Sequence, residues 1–176
     1  MFRILRSGVH DITIPLAPPV EKLRESAEVA GLSPEKILII DDEEISRYLV
    51  RQALGAGGFV LLEAAEGSEG LERAHREKPD AIFLDLRMPG MSGVEVLSRL
   101  KADPQTRNIP VIIITSKSLP ESERAMLEMN SVAILSKEIF ASGRAGEGLR
   151  IALKSAGVAL VSSSGIDSTK SGSARQ

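Results

Sequence analysis

Four short polar stretches carry groups that could do chemistry together. Asp41 and Asp42 follow one apolar run, Asp85 follows another, and a Thr-Ser pair and Lys137 follow two more. Two carboxylates about 5 Å apart repel each other by roughly 3 kcal/mol at an effective dielectric of 20. Three carboxylates at one place therefore either raise a pKa or hold a divalent cation. Mg²⁺ suits such a site, because it prefers oxygen ligands and is commonly bound by one or two carboxylates and a phosphate oxygen.

The same groups are also those that phosphoryl transfer requires. A carboxylate can attack phosphorus and form an aspartyl phosphate. The charge on the transferring group would then be met by Mg²⁺, an ammonium and a hydroxyl. Each residue alone has an ordinary structural explanation, such as a helix cap, a turn or a strand end. Because four apolar runs each end in a type that this chemistry needs, we predict one site from Asp41, Asp42, Asp85, Thr115, Ser116 and Lys137.

Five unbroken apolar runs of strand length must position these side chains. Such runs, rich in Ile and Val, are typical of parallel strands covered on both faces, with helical crossovers between them. Right-handed crossovers predict an α/β fold with a five-stranded, doubly wound parallel sheet in the order 2-1-3-4-5. The carboxyl ends of strands one, three, four and five then meet at one cleft. The predicted strands are residues 37–40, 59–62, 81–84, 110–114 and 132–135.

The segments between the runs carry helical patterns. In the first, Asp41 is followed three places on by Glu44, which is the pattern of a capping box. Ile45, Tyr48 and Leu49 then recur at helical spacing before a cluster of glycines. The other helices are predicted at about residues 68–76, between residues 92 and 103, from about residue 120, and at about residues 144–155.

Length and composition limit the remaining possibilities. A chain of 176 residues indicates one domain with additional segments. We predict an extension with a short helix over residues 1–34, the βα unit over 35–157, and a flexible Ser/Gly-rich tail over 158–176. A net charge of −2 gives no bulk attraction to nucleic acid. The chain has no Cys and two His, which argues against zinc, and it has no membrane span or signal peptide, which favours the cytoplasm.

The sequence resembles the receiver domain of two-component response regulators, whose fold is flavodoxin-like. The motifs that carry the resemblance are ILIIDDEE at 37–44, IFLDLRMPGMSG at 82–93, IPVIIITS at 109–116 and AILSK at 133–137. The resemblance implies a phosphoacceptor module in a two-component or phosphorelay pathway. The partner would be a histidine kinase or histidine phosphotransfer protein, with an unknown downstream protein. No DNA-binding output domain is expected. A receiver from a hybrid sensor kinase is the other interpretation, because the sequence ILSKE is similar to the corresponding segment of such receivers.

The resemblance also assigns roles to residues. Asp85 would accept the phosphoryl group, with Thr115 and Lys137 as the other catalytic residues. Thr115, Ser116 and Lys137 would bind phosphoryl oxygens. Mg²⁺ would be held by Asp42, by Asp41 through water, by Asp85 and by the carbonyl of Arg87.

Four positions are expected to modulate or reshape this site. Arg87 and Lys117 lie two residues past Asp85 and Thr115, where we expect their charges either to be solvated or to shield the acyl phosphate from water. Ile134 stands where receivers usually carry an aromatic switch residue, which puts coupling through an aromatic rotamer in question. Glu138 replaces the usual proline after the lysine, so that peptide is predicted to be trans.

The same residues argue against several other functions. An FMN site would need a loop whose amides cradle phosphate after strand one, whereas this chain has DDEE. A phosphatase with an aspartate nucleophile would need a second acid where Arg87 stands, and the P-loop motif is missing. The alternative that stays open is a receiver-shaped interaction module that is never phosphorylated.

Overall fold

The computed structural model describes residues 34–55, 58–116 and 118–159, in which strands and helices alternate along the chain. The strands are β1 (Lys36–Ile40), β2 (Val60–Ala64), β3 (Ala81–Leu84), β4 (Val111–Thr115) and β5 (Ala133–Ser136). The α-helices are α1 (Glu44–Leu54), α2 (Gly67–Glu77), α3 (Gly93–Ala102), α4 (Glu121–Asn130) and α5 (Ala145–Ser155). A 3-10 helix, Lys137–Phe140, lies between β5 and α5.

The strands form one parallel sheet in the order β2-β1-β3-β4-β5, which confirms the predicted topology. The register places Ile40 beside Leu84 and Thr115 beside Ser136. Because all five strands run the same way, their carboxyl ends lie at one edge. The residues that follow β1, β3 and β5 are therefore brought to the same rim of the sheet.

Helices cover both faces of the sheet and produce two hydrophobic cores. On one face, the side chains of α2, α3 and α4 pack over strand residues such as Leu38 and Ile82. On the other face, α1 and α5 pack over residues such as Ile39 and Phe83. The alternation of neighbouring strand residues between the two cores explains why β3 and the buried parts of β1 and β4 are unbroken apolar runs.

The start of α1 differs from the prediction. The N-cap is Glu43, and no side chain caps this helix, so the expected capping box from Asp41 to Glu44 is wrong. The side chain of Asp41 instead accepts a hydrogen bond from the Glu43 amide at 2.9 Å. The inward row of α1 is Ser46, Val50 and Leu54. The expected apolar positions Ile45 and Tyr48 are exposed.

Some expectations concern parts of the chain outside the described ranges. The predicted N-terminal helix and most of the Ser/Gly-rich tail belong to residues 1–33 and 160–176, which the structure does not describe. In the described part, no helix combines the length and apolar character that crossing a membrane requires.

Candidate functional site

Backbone hydrogen bonds hold the acidic residues beside one another beyond the ends of their strands. The amide of Asp85 donates to the carbonyl of Ile40 at 2.9 Å, and the amide of Asp41 donates to the carbonyl of Ala64 at 3.1 Å. These bonds continue the sheet pairing by one residue past β3 and β1. The positions of Asp41 and Asp85 are thus set by the sheet and not by a mobile loop.

The start of α3 contacts the loop that follows Asp85. The side chain of Ser92 caps this helix by accepting from the Glu95 amide, and the Gly93 amide donates to the Leu86 carbonyl at 3.1 Å. A Cβ atom at Gly93 would lie 1.9 Å from the Asp85 carbonyl oxygen. Only glycine permits this contact, so α3 supports Asp85 directly.

Asp41, Asp42 and Asp85 form a carboxylate cluster at the rim. One carboxylate oxygen from each residue lies within 4.8 Å of the other two. Asp41 and Asp85 are buried. Among the described residues, Asp42 Oδ1 and Asp85 Oδ1 are buried and have no hydrogen-bond partner. Buried unpaired carboxylate oxygens are costly, and a bound cation would satisfy them.

Lys137 supplies the positive charge at this cluster. Its Nζ lies 2.8 Å from Asp41 Oδ2 and 3.6 Å from Asp85 Oδ2. It also donates hydrogen bonds to Glu43 Oε2 at 3.2 Å and to Ser46 Oγ at 3.1 Å. The Lys137 side chain is 14% exposed, so solvent screens these interactions only weakly.

The electrostatics reflect burial and these contacts. Burial raises the pKa of the Asp85 carboxyl, an effect that Lys137 opposes and the charge of Asp41 reinforces. Burial likewise raises the pKa of Asp41. Burial alone would lower the pKa of Lys137, but the pKa is raised because its contacts with Asp41, Asp85 and Glu43 outweigh that effect. The hydrogen bond from Ser46, followed by Lys137, lowers the pKa of Glu43.

Thr115 and Ile134 lie on the neighbouring strands β4 and β5. Thr115 is the last residue of β4 and is buried beside Ser136, the residue before Lys137. Ser116 follows it and is exposed. Ile134 lies within β5 and packs against the core on the α2–α4 face. Thr115 therefore lies at the same rim of the sheet as the acidic cluster, and Ile134 lies two residues before Ser136 in β5.

The remaining residues singled out from the sequence are Arg87, Lys117 and Glu138. The Arg87 amide donates to Asp85 Oδ2 at 3.1 Å, its side chain is exposed, and its charge contributes to the lowered pKa of Glu43. Lys117 lies outside the described residues. The described part of the chain contains no cis peptide, so the bond between Lys137 and Glu138 is trans, as predicted.

Sequence reasoning missed Glu43, Ser46 and Gly93. Ser46 had a detectable signal, because it lies four residues before Val50 and eight before Leu54, which makes it a polar residue on the inward row of α1. Glu43 was hidden among four consecutive acids. The contact at Gly93 depends on the approach of α3 to the Asp85 loop, which no local pattern indicates.

Comparison with known proteins identifies the family. Residues 37–143 match the model of the response regulator receiver domain. The polar-differentiation response regulator DivK of Brucella anthropi is 33% identical over 106 residues, which are 60% of this chain and 86% of that protein. The N-terminal domain of a response regulator receiver protein from Methanoculleus marisnigri JR1 is similar in structure, with a TM-score of 0.57 and 31% identity over 68% of this chain and 96% of that one.

A third protein is similar in fold and carries a metal. The receiver domain of sensor histidine kinase PA1611 from Pseudomonas aeruginosa PAO1, with a magnesium ion coordinated in its active site cleft, has a TM-score of 0.61 at 23% identity. The similarity covers 71% of this chain and 99% of that one. With the family match over most of the sheet and the acidic cluster at its rim, the chain belongs to the response regulator receiver domain family.

Proposed function

We propose that Asp85 accepts a phosphoryl group from a phosphohistidine of a histidine kinase or a histidine phosphotransfer protein. The observation that carries the proposal is the environment of the Asp85 carboxylate. It is buried at the rim, has an unpaired oxygen among the described residues, and lies 3.6 Å from the Lys137 ammonium. A carboxylate in this setting is a nucleophile with a cation beside the charge that develops during transfer.

The transfer makes one bond and breaks one. A carboxylate oxygen of Asp85 attacks phosphorus while the bond from phosphorus to the donor imidazole nitrogen breaks, and the electron pair of that bond stays on the imidazole. The ammonium of Lys137 and the hydroxyl of Thr115 are proposed to bind the phosphoryl oxygens, with Ser116 beside them. The burial of Asp85 keeps the product away from bulk water and so favours accumulation of the acyl phosphate.

The donor set fits a magnesium ion. Three carboxylates provide oxygen ligands within 4.8 Å of one another, and among the described residues one oxygen each of Asp42 and Asp85 is buried without a hydrogen-bond partner. We propose that Asp42, Asp85, the Arg87 carbonyl and, through water, Asp41 hold the ion. When bound, Mg²⁺ neutralises charge on the carboxylates and on the phosphoryl oxygens. The magnesium in the PA1611 receiver supports this assignment for a protein of the same fold.

The partners and boundaries of the module are also proposals. We infer a phosphodonor protein on one side and a downstream protein on the other, acting in the cytoplasm, with residues 35–157 as the receiver unit. Both a stand-alone receiver and the receiver of a hybrid kinase are consistent with this assignment. Phosphotransfer from a panel of purified kinases and phosphotransfer proteins, followed on Asp85, would identify the donor.

Labelling with a small phosphodonor tests the phosphoacceptor role. In millimolar Mg²⁺, the wild-type protein should gain one phosphoryl mass by intact mass spectrometry, and Asp85→Asn should gain none. Asp80→Asn is the matched control, because Asp80 is exposed and lies before β3, at the opposite edge of the sheet. Failure of folded wild-type protein to label would favour the interaction module that is never phosphorylated.

A further inference from the structure

The Lys137 ammonium is held by the first turn of α1 as well as by the acidic cluster. It donates hydrogen bonds to Ser46 Oγ at 3.1 Å and to Glu43 Oε2 at 3.2 Å. Its shortest contact is with Asp41 Oδ2 at 2.8 Å, a charge-assisted hydrogen bond, and Asp85 Oδ2 lies 3.6 Å away. An ammonium has three donors, so Ser46 and Glu43 share its orientation with Asp41.

Ser46 and Glu43 are themselves tied together. The Ser46 hydroxyl donates to Glu43 Oε2 at 2.7 Å while it accepts from Lys137, so both functions of the hydroxyl are used. The Glu43 amide donates to Asp41 Oδ1 at 2.9 Å, which anchors its backbone to the cluster. Ser46 is buried, whereas the side chain of Glu43 is 63% exposed. Ser46 is therefore the rigid member of the pair.

The two groups of acceptors differ in what happens to them during the reaction. Asp41 and Asp85 are the carboxylates expected to take up the cation and the phosphoryl group, so their hold on Lys137 must change. Ser46 lies in the first turn of α1 and Glu43 is its N-cap residue, and neither is assigned to the cation or to the phosphoryl group. Their hydrogen bonds can persist through it, because α1 is fixed by the packing of Val50 and Leu54 in the core.

We propose that Ser46 and Glu43 are positioning residues that keep the Lys137 ammonium at the rim, facing Asp85. This role rests on the proposed function, since it serves phosphoryl transfer to Asp85. If the role of Ser46 were purely structural, its hydrogen bonds would only satisfy a buried hydroxyl and would not affect the reaction. The two roles predict different effects on the rate of phosphorylation in protein that stays folded.

The first experiment measures the initial rate of labelling by a small phosphodonor in Mg²⁺. Ser46→Ala should lower the rate by about tenfold or more, since it removes one hydrogen bond to a charged group. Ser46→Thr keeps the hydroxyl and should restore the rate. Glu43→Ala should lower it by about threefold. Ser98→Ala and Glu44→Ala are the controls, because both residues are exposed on helices, and they should label at the wild-type rate.

Equal rates in wild-type protein, Ser46→Ala and Glu43→Ala would overturn the proposal. Glu43→Ala keeps the test decisive if Ser46→Ala does not fold, because a side chain that is 63% exposed leaves no cavity when removed. Loss of rate in Ser46→Ala without rescue by Ser46→Thr would also count against a role of the hydroxyl.

A second experiment separates this proposal from the phosphoacceptor role. Without metal and phosphodonor, ¹⁵N NMR of the lysine side chains should show slow hydrogen exchange at the Lys137 ammonium, because its protons are bonded. The exchange should accelerate in the Ser46→Ala, Glu43→Ala double variant and not in the Ser98→Ala, Glu44→Ala double variant. If wild-type protein fails to label, the phosphoacceptor role falls. Unchanged Lys137 exchange in the first double variant overturns the positioning role.

Discussion

At the scale of single residues, the charges around Asp85 are balanced unequally. Three carboxylates meet one ammonium, with Glu43 as a further acid at the edge. Burial raises the pKa values of Asp41 and Asp85, which shows that desolvation exceeds what Lys137 compensates. This excess of negative charge favours a divalent cation. Lys137 is thus an internal cation that already contacts two of the three acids.

Replacing Lys137 by methionine should separate its two effects. We expect labelling by a small phosphodonor to slow by about 100-fold, because a donor aimed at the developing charge is lost. We also expect tighter Mg²⁺ binding by calorimetry, because a cation 2.8 Å from Asp41 Oδ2 no longer competes. Lys154→Met, at an exposed position of α5, serves as the control for loss of a charge. Labelling of Lys137→Met at the wild-type rate would exclude Lys137 from the reaction.

Arg87 should control the lifetime of the phosphorylated form. Its side chain is exposed two residues past Asp85, and its charge contributes to the lowered pKa of Glu43. We propose that it shields the acyl phosphate from water, so Arg87→Ala should shorten the half-life after removal of the phosphodonor. Arg107→Ala, in the loop before β4 at the other edge of the sheet, is the control. A half-life equal to that of the wild-type protein would remove this role.

At the scale of secondary structure elements, the site depends on two helix starts. The first turn of α1 supplies Glu43 and Ser46 to Lys137, and the first turn of α3 presses against the backbone of Asp85. The row of Ser46, Val50 and Leu54 faces the sheet, which leaves Ile45 and Tyr48 outside. The rotation of each helix about its own axis therefore decides which of its residues reach the site.

Gly93 and Ser92 offer a matched pair of substitutions at the start of α3. Ser92→Ala removes the helix cap and should cost about 0.5–2 kcal/mol in the free energy of unfolding, without moving Asp85. Gly93→Ala places a Cβ atom against the Asp85 carbonyl and should cost about 1–3 kcal/mol or more through overpacking. Chemical denaturation measures both. Labelling per folded molecule should fall only in Gly93→Ala, and equal labelling in the two variants would contradict direct support of Asp85 by α3.

At the scale of the whole molecule, the fold brings residues that are distant in sequence together at one rim of the sheet. Parallel strands bring Asp41, Asp85 and Thr115 to the same edge, and the cores on both faces hold the sheet in place. Repulsion among the carboxylates exists only when the chain is folded, because unfolding separates them. The free energy of unfolding should therefore respond to any ion that relieves this repulsion.

Magnesium should raise the melting temperature of the wild-type protein. A ligand that binds only the folded state at about 100 times its Kd stabilises by about 2.7 kcal/mol. Differential scanning calorimetry over millimolar Mg²⁺ measures the shift, with NaCl at equal ionic strength as the control for screening. Asp42→Asn should show a smaller shift. A melting temperature that does not change with Mg²⁺ in the wild-type protein would count heavily against the metal site.

The sequence by itself determined the architecture and which acidic side chains and lysine lie together at the carboxyl ends of the strands. Apolar runs that end in Asp, Thr and Lys indicated the strands, and the handedness of crossovers together with the order of the runs predicted which ends meet. The architecture was predictable because the length and apolar pattern of each run, and the handedness of each crossover, are local properties of the chain.

Only the tertiary structure decided the partners of Lys137, the inward row of α1 and the contact at Gly93. Ser46 and Glu43 lie 91 and 94 residues from Lys137 in sequence. Their meeting depends on how α1 is rotated as it packs on the sheet, and Glu43 in particular stood among acids that look alike in the sequence. Helix rotation and close backbone approach follow from the packing of all side chains together, so no single segment of the chain encodes them.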